Sequence, residues 1–258
     1  MLDSHSQLAI PGESHFIAKM AGAPNRYQGP EGFTANGFLD DLLADERFRE
    51  WRLPADSVRR ALAESNPGSL ADAFRAVYGA YAAQRGKPLY GDKTPGYVRH
   101  LPLLADLFPE SRFVHLLRDG RDVVLSLREM DWGRKGELET LARFWRANIE
   151  LASAARESLG ARRYVEIRYE HLIEDPERAL RHVCEFLELP YEPAMASYYE
   201  RPDELADLLP DEEHHASARL PPTKGLRDWR TQMSPEDLAV FERVAGQGLD
   251  LAGYPRAT

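Results

Sequence analysis

Residues 112–126 read RFVHLLRDGRDVVLS. Phe113, Val114, Leu116 and Leu117 make a short apolar run of strand length, Asp119–Gly120 is a turn signal, and Val123, Val124 and Leu127 recur at helical spacing. The stretch is therefore predicted to be a buried strand, a tight turn and a helix. Arg118 falls at the carboxyl end of the strand, where open α/β sheets bind ligands. Ser126 follows about two helical turns later. A guanidinium fork and a hydroxyl beside a helix start suit a phosphate group, although a single arginine at such a turn is more often only solvated.

Working outward, the sequence alternates strand and helix signals. Toward the N-terminus, Met1–Ser4 reads as the tail of a helix and Leu8–Ile10 as a short extended piece. Residues 22–37, rich in Gly, Pro and Asn, are predicted to be irregular. Helical patterns follow over Phe38–Trp51, over Ala55–Glu64 after Pro54, and over Leu70–Arg85 with Phe74, Val77, Tyr78 and Tyr81 on one side. Lys87–Thr94 reads as a strand running into Gly91-Asp92-Lys93-Thr94-Pro95, and Tyr97–Leu107 as a helix with Leu101, Leu104, Leu107 and Phe108 inward. Toward the C-terminus, Glu137–Leu159 is the longest helical pattern, with Leu138, Leu141, Trp145, Ile149 and Ala152 in phase. Arg163–Tyr169 is a further strand, and a helix follows Pro176. Residues 209–222 are expected to form a mobile loop. Ser234–Gly246 closes the chain as a helix with Ser234 as N-cap and Pro235 at its first position. Strands separated by helices imply a parallel sheet and an α/β class.

Composition narrows the function. The 258 residues carry 33 Lys and Arg against 42 Asp and Glu, a net charge of −9 at a pI near 5.5, so nucleic acid is not an expected partner. One large α/β domain spanning 1–258 is expected, with helical insertions. No apolar run approaches the roughly 20 residues that span a bilayer, so no membrane partner is expected. The opening MLDSHSQLAIPGES lacks a signal peptide's basic and apolar regions. The single cysteine, Cys184, allows no internal disulfide and is expected in the core. Cytoplasmic residence is the default. His214 and His215 beside Glu212 and Glu213 lack zinc-like spacing, so no metal is expected. No G-x-x-x-x-G-K-[ST], H-E-x-x-H, G-x-S-x-G or G-x-G-x-x-G occurs, which removes a small-molecule kinase on a related fold from contention.

The string at 112–126 closely resembles the 3′-phosphate-binding segment of the sulfotransferases that use 3′-phosphoadenosine 5′-phosphosulfate (PAPS). The likeness extends along nearly the whole chain and is nearest to the bacterial and protein-tyrosine-type members. It implies a P-loop-NTPase-like parallel sheet flanked by helices, with helical insertions forming an acceptor pocket. It further implies that Arg118 and Ser126 hold the 3′-phosphate and that Tyr169, in RYVEIRYEHL, contacts the nucleotide. Lys93 is implied beside the bridging oxygen of the leaving phosphate, and Glu13, in LAIPGESHF, as general base. His15 is the rival base, since the cytosolic small-molecule sulfotransferases use a histidine.

Lys224 and Gly225, in TKGLRDW, resemble the late Arg-Lys-Gly…Trp loop that closes over the 3′-phosphate. The match departs from the family pattern: Thr223 stands where many members have arginine, and the spacing to Trp229 is one residue shorter.

Sulfuryl transfer needs a proton acceptor, neutralisation of the leaving phosphate and in-line positioning, and basic side chains can supply the second without a metal. The donor would be PAPS, the product 3′-phosphoadenosine 5′-phosphate (PAP), and the acceptor an unidentified small-molecule or peptide hydroxyl, or an amine. Oligomeric state is not legible. The resemblance also implies a strand and an Arg-Ser-Gly-Thr-Thr-type loop ahead of a Leu-Asp-Ser-His string. The chain opens at Met1-Leu2-Asp3-Ser4-His5, so it is expected to start just after that loop. A mistaken start or a truncated sequence would account for this. The alternative function is a catalytically impaired relative serving as a nucleotide-binding or scaffold protein.

Overall fold

The computed structural model describes residues 1–30, 32–130, 136–200, 220–223 and 227–257. They fall into two compact units, one comprising Met1–Glu110 and the segment from Glu192, the other Ser111–Tyr191 and the segment from Leu220.

In the first unit a 3-10 turn, Leu2–Ser4, leads into strand β1, Leu8–Ala9. Helix α1 is Phe16–Ala21. Residues expected to be irregular instead carry a 3-10 turn, Pro24–Tyr27, and a two-rung antiparallel hairpin of β2, Gln28–Gly29, with β3, Gly32–Phe33. The single helix expected over Phe38–Trp51 is two: α2, Ala35–Ala44, and α3, Glu46–Glu50. Asp45 takes an extended conformation between them, and its carboxylate accepts the Arg47 N–H, so a good N-cap residue starts a new helix where the old one would continue. Helix α4, Ala55–Ser65, starts directly after Pro54, which makes no side-chain cap, and ends on Asn66 in the left-handed region. Helix α5, Leu70–Gln84, buries Phe74, Val77, Tyr78 and Tyr81 as its periodicity requires.

Strand β4 is only Leu89–Tyr90, shorter than the expected Lys87–Thr94, because just two of its residues pair with β1, in parallel (Leu8 with Leu89, Ala9 with Tyr90). The helix expected over Tyr97–Leu107 begins as a 3-10 turn, Pro95–His100, and becomes α6 at Leu101–Leu107, where Pro102 sits in the first turn. Leu101 and Leu104 are buried, Leu107 and Phe108 half-buried. Aromatic contacts hold this core: Phe16 lies 5.3 Å from Trp51 and 6.2 Å from Phe74, and Trp51 meets Tyr78 edge-on at 4.8 Å.

In the second unit β5, Phe113–Leu117, runs parallel to β6, Tyr164–Arg168, over five residue pairs. The strand of residues 112–126 is thus present, but it is not the buried strand its apolar run suggests. Leu117 is 2% exposed while Leu116 is 50% exposed, because alternate side chains leave a two-stranded ribbon on opposite faces and only one face is packed.

Helix α7, Gly120–Leu127, follows, with Asp119 as N-cap accepting the Arg121 N–H. Helix α8, Leu138–Leu159, buries every apolar residue expected of it and stops at Gly160, whose φ is 66°. Tyr169 does not end the strand but opens α9, Tyr169–Glu174. Helix α10, Pro176–Leu187, capped by Asp175, buries Cys184. Helix α11 is Trp229–Gln232, and α12, Pro235–Leu251, is capped by Ser234 as expected but runs five residues beyond Gly246. Leu117, Val124, Trp145, Ile149, Phe241 and Leu249 form the centre of this unit's core. Of the loop expected at 209–222, residues 209–219 lie outside the described residues.

Candidate functional site

Parallel pairing places the first group of side chains. Ala9 sits opposite Tyr90, so the segments leaving the carboxyl ends of β1 and β4 run side by side, and Glu13 and Lys93 meet although 80 residues separate them. Lys93 Nζ donates to Glu13 Oε1 at 2.5 Å. The other carboxylate oxygen, Oε2, lies 3.1 Å from His15 Nε2. Partial burial pushes the Glu13 carboxyl upward, but the hydrogen bond and charge of Lys93, with His15 adding to both, outweigh it and hold the group below its ordinary value. His15 occupies the left-handed region at φ 48° as the N-cap of α1, a conformation that costs a non-glycine residue about 1–2 kcal/mol. It turns the imidazole back toward Glu13 and Gly96.

Beneath this pair lies a buried polar cluster that the residue pattern alone does not single out. The Ser14 N–H donates to Thr94 Oγ1 at 2.9 Å, and the Ser14 hydroxyl shares a 2.6 Å bond with Tyr97 Oη, which also accepts the Ile17 N–H at 3.1 Å. The Tyr78 hydroxyl donates to Asp92 Oδ2 at 2.5 Å. Burial raises the Asp92 carboxyl, and the nearby hydroxyls of Ser14, Tyr78 and Thr94, with Lys93, only partly offset it.

The second group forms in the other unit by the same logic. Leu117 pairs with Arg168, so the next residues, Arg118 and Tyr169, emerge together at the strands' carboxyl ends. The Arg118 guanidinium lies over the Tyr169 ring, 4.4 Å from its centroid, and Arg118 Nε is buried without a hydrogen-bond partner among the described residues. Ser126 is half-buried in the last turn of α7. Lys224 and Gly225 lie outside the described residues.

The turn carrying Arg118 is held from below by a fully buried arginine. Arg121 Nε and Nη2 engage both oxygens of Asp119, at 3.0 and 2.8 Å, and Nη1 reaches Glu242 at 3.0 Å. Its guanidinium stacks 3.7 Å from the Trp229 ring centroid. The Trp145 indole N–H donates to the Arg118 carbonyl at 3.3 Å, and Glu170 accepts the Asp119 N–H at 3.1 Å. The two-residue spacing of Asp119 and Arg121 after a strand is the only sequence signal for this anchor. Among the described residues no group of three or more His, Cys, Asp or Glu side chains is placed to hold a metal, and no helix is long and apolar enough to cross a membrane.

Parallel strand pairs followed by helices, with cationic side chains presented at the strands' carboxyl ends, define an α/β protein, and its solved structural neighbours give it a P-loop-like fold. Two solved structures share the fold. The sulfotransferase domain from the Synechococcus PCC 7002 olefin synthase matches with a TM-score of 0.61 at 21% identity, covering 95% of this chain and 87% of that one. The sulfotransferase domain from the curacin biosynthetic pathway matches with a TM-score of 0.57 at 18% identity, covering 98% and 91%.

The model of the sulfotransferase family matches residues 1–193, and the chain belongs to that family. A putative protein-tyrosine sulfotransferase of Caenorhabditis briggsae is 28% identical over 190 residues, 71% of this chain and 67% of that protein. A second putative protein-tyrosine sulfotransferase, from Caenorhabditis elegans, is 28% identical over 172 residues, 65% of this chain and 66% of that protein. The alignments thus span about two thirds of these relatives.

Proposed function

We propose that residues 1–258 act as one sulfotransferase-like domain that moves a sulfuryl group from PAPS to an acceptor hydroxyl, or amine. The observation that carries the proposal is the Glu13 carboxylate held between Lys93 and His15. It sets a proton acceptor directly beside a cation able to neutralise a leaving phosphate. PAPS supplies an activated sulfuryl group on a nucleotide that departs as PAP. Arg118, with a buried Nε that has no hydrogen-bond partner among the described residues and an aromatic face beneath it, fits a phosphate oxygen, and Ser126, Tyr169, Lys224 and Gly225 would complete that grip.

In the reaction Glu13 takes the acceptor's proton, the acceptor oxygen forms a bond to sulfur, and the bond from sulfur to the phosphate oxygen breaks. Lys93 stabilises the charge left on that phosphate. As Lys93 turns to the phosphate, Glu13 loses its strongest counterion, and burial then raises its affinity for a proton. Free Glu13 is thus held as a weak base and becomes a stronger one when donor is bound. His15 is the alternative proton acceptor. The two nematode relatives named as protein-tyrosine sulfotransferases support a tyrosyl hydroxyl, in a peptide or a small molecule, as the first acceptor to try. A cytoplasmic site of action, in keeping with the single cysteine, belongs to the same proposal.

Calorimetric titration with PAP, with adenosine 5′-phosphate as control, tests the nucleotide half. Binding of PAP alone supports it, and a folded protein that binds neither overturns it. Transfer of labelled sulfate from PAPS to a tyrosyl peptide or a phenol tests the chemistry.

A further inference from the structure

We infer that Thr94 is a positioning residue, whose buried hydrogen bond from Ser14 fixes the carboxylate of Glu13 against the ammonium of Lys93. The inference rests on the proposed roles of that pair. Each member is immediately followed in the chain by one half of the clasp: Glu13 by Ser14, Lys93 by Thr94. The Ser14 N–H reaches Thr94 Oγ1 at 2.9 Å, and Ser14 and Thr94 are 0% and 7% exposed. The side chains they position are far more open, with Glu13 26% and Lys93 60% exposed.

An exposed lysine–carboxylate pair on two loops would normally sample many geometries and contribute little. Here the loops cannot slide past each other without breaking bonds made away from water. Ser14 Oγ is held by Tyr97, whose hydroxyl also caps the Ile17 N–H, so the clasp extends into the first turn of α1. On the other side Asp92 is tied to Tyr78 of α5. The indole N–H of Trp51 donates to the Gly12 carbonyl at 2.9 Å and fixes the residue before Glu13. Two solvent-facing side chains are thereby carried on a hydrogen-bonded frame. Preorganisation of this kind is what a base and a phosphate-neutralising group require.

Replacing Thr94 with Val keeps the shape but removes the acceptor, leaving a buried N–H unmatched. Thr94→Ser restores the acceptor. The charged and titratable groups facing Glu13 and the clasp are Lys93, His15, Asp92, Tyr78 and Tyr97; none is itself replaced in either variant, though Thr94→Val also withdraws a hydroxyl from Asp92, which Thr94→Ser returns. The first readout needs no activity: the ¹³C-carboxyl signal of Glu13, assigned by its loss in Glu13→Gln, is titrated in the ligand-free protein. In Thr94→Val the inflexion is expected to move up toward the ordinary glutamate value, because Lys93 and His15 no longer hold station, and Thr94→Ser is expected to bring it back. In turnover, Thr94→Val should lower kcat about tenfold or more with the donor KM within about threefold, and Thr94→Ser should recover it.

A folded Thr94→Val protein whose Glu13 titration is identical to that of the parent overturns the inference, whatever the protein's activity proves to be. If the titration moves while no sulfuryl transfer occurs in any form of the protein, the clasp stands and the proposed reaction falls. Should Thr94→Val fail to fold, Thr94→Ala, which removes the same acceptor with a smaller side chain, must shift the Glu13 inflexion upward, and an unmoved inflexion there is equally fatal.

Discussion

The guanidinium of Arg118 rests on the ring of Tyr169, because the register that sets Leu117 opposite Arg168 brings the two following residues out side by side. A cation over an aromatic face is held without consuming its hydrogen-bond donors, so the fork stays available for a phosphate.

Arg118→Ala should therefore weaken PAP binding about 10- to 100-fold, the value of a hydrogen bond to a charged group, while the unfolding transition shifts little. Calorimetry with PAP on the variant and the parent checks this. Equal affinities would remove Arg118 from the nucleotide site.

The Glu13–Lys93 contact predicts a separation of two pH profiles. In the free protein Lys93 and His15 hold the Glu13 carboxyl below its ordinary value, so the base form persists as pH falls, and the acid limb of kcat/KM should lie below the usual glutamate range. With donor bound and Lys93 engaged on phosphate, the acid limb of kcat should sit higher. The depressed group also contributes stability above its unfolded-state value, which is lost as pH falls through the folded-state value. Glu13→Gln should flatten both limbs and lower kcat with little change in PAP affinity. If Glu13→Gln retains turnover and His15→Ala abolishes it, the proton goes to the imidazole.

Arg121 is the test of the second unit's frame. Its guanidinium is fully buried against Asp119 and Glu242 and against the Trp229 ring. Arg121→Met would take the Arg121 guanidinium away from two buried carboxylates, a loss of about 3–5 kcal/mol for a broken buried pair. Urea unfolding at neutral pH measures it, and a loss below about 1 kcal/mol would show that the cluster relaxes into water.

What the sequence discloses follows the range over which its signals act. The helix over Leu138–Leu159 is legible because its apolar residues recur at the period along which burial follows, and the turn at Asp119–Gly120 because its residue types are strong local signals. Leu116 is misjudged for a related reason: an apolar run cannot say whether the second face of a strand will be covered. The break at Asp45 is a local capping preference that overrides a continuous apolar pattern. The meeting of Glu13, His15 and Lys93 could not be derived from spacing, since it depends on the two-rung pairing of Leu8–Ala9 with Leu89–Tyr90. Family resemblance pointed to those residues, whereas Ser14, Asp92 and Thr94 beneath them gave no such signal. Arg121 carries only the weak local signal of its spacing from Asp119, and its burial depends on the fold.

Gly120 offers the sharpest steric test of how that turn is built. A Cβ placed there would lie 2.3 Å from Trp145 Cδ2 and 2.5 Å from Cε2, inside the indole ring system. Trp145 is 4% exposed and its N–H is bonded to the Arg118 carbonyl, so the indole cannot swing aside without releasing the turn. Gly120→Ala should cost about 1–3 kcal/mol, the range for overpacking a dense core. Because relief must come from the backbone at 118–120, PAP affinity should fall with it. Gly79 is the matched control, since it lies within α5 and nothing stands within 4 Å of its Cβ position. Gly79→Ala should stabilise by about 0.5–1 kcal/mol through helix propensity alone and leave PAP binding unchanged. Denaturant melts and PAP titrations of the two variants decide the matter together. Equal stability changes in both would mean that Trp145 yields, and that Arg118 is held by something other than the indole above Gly120.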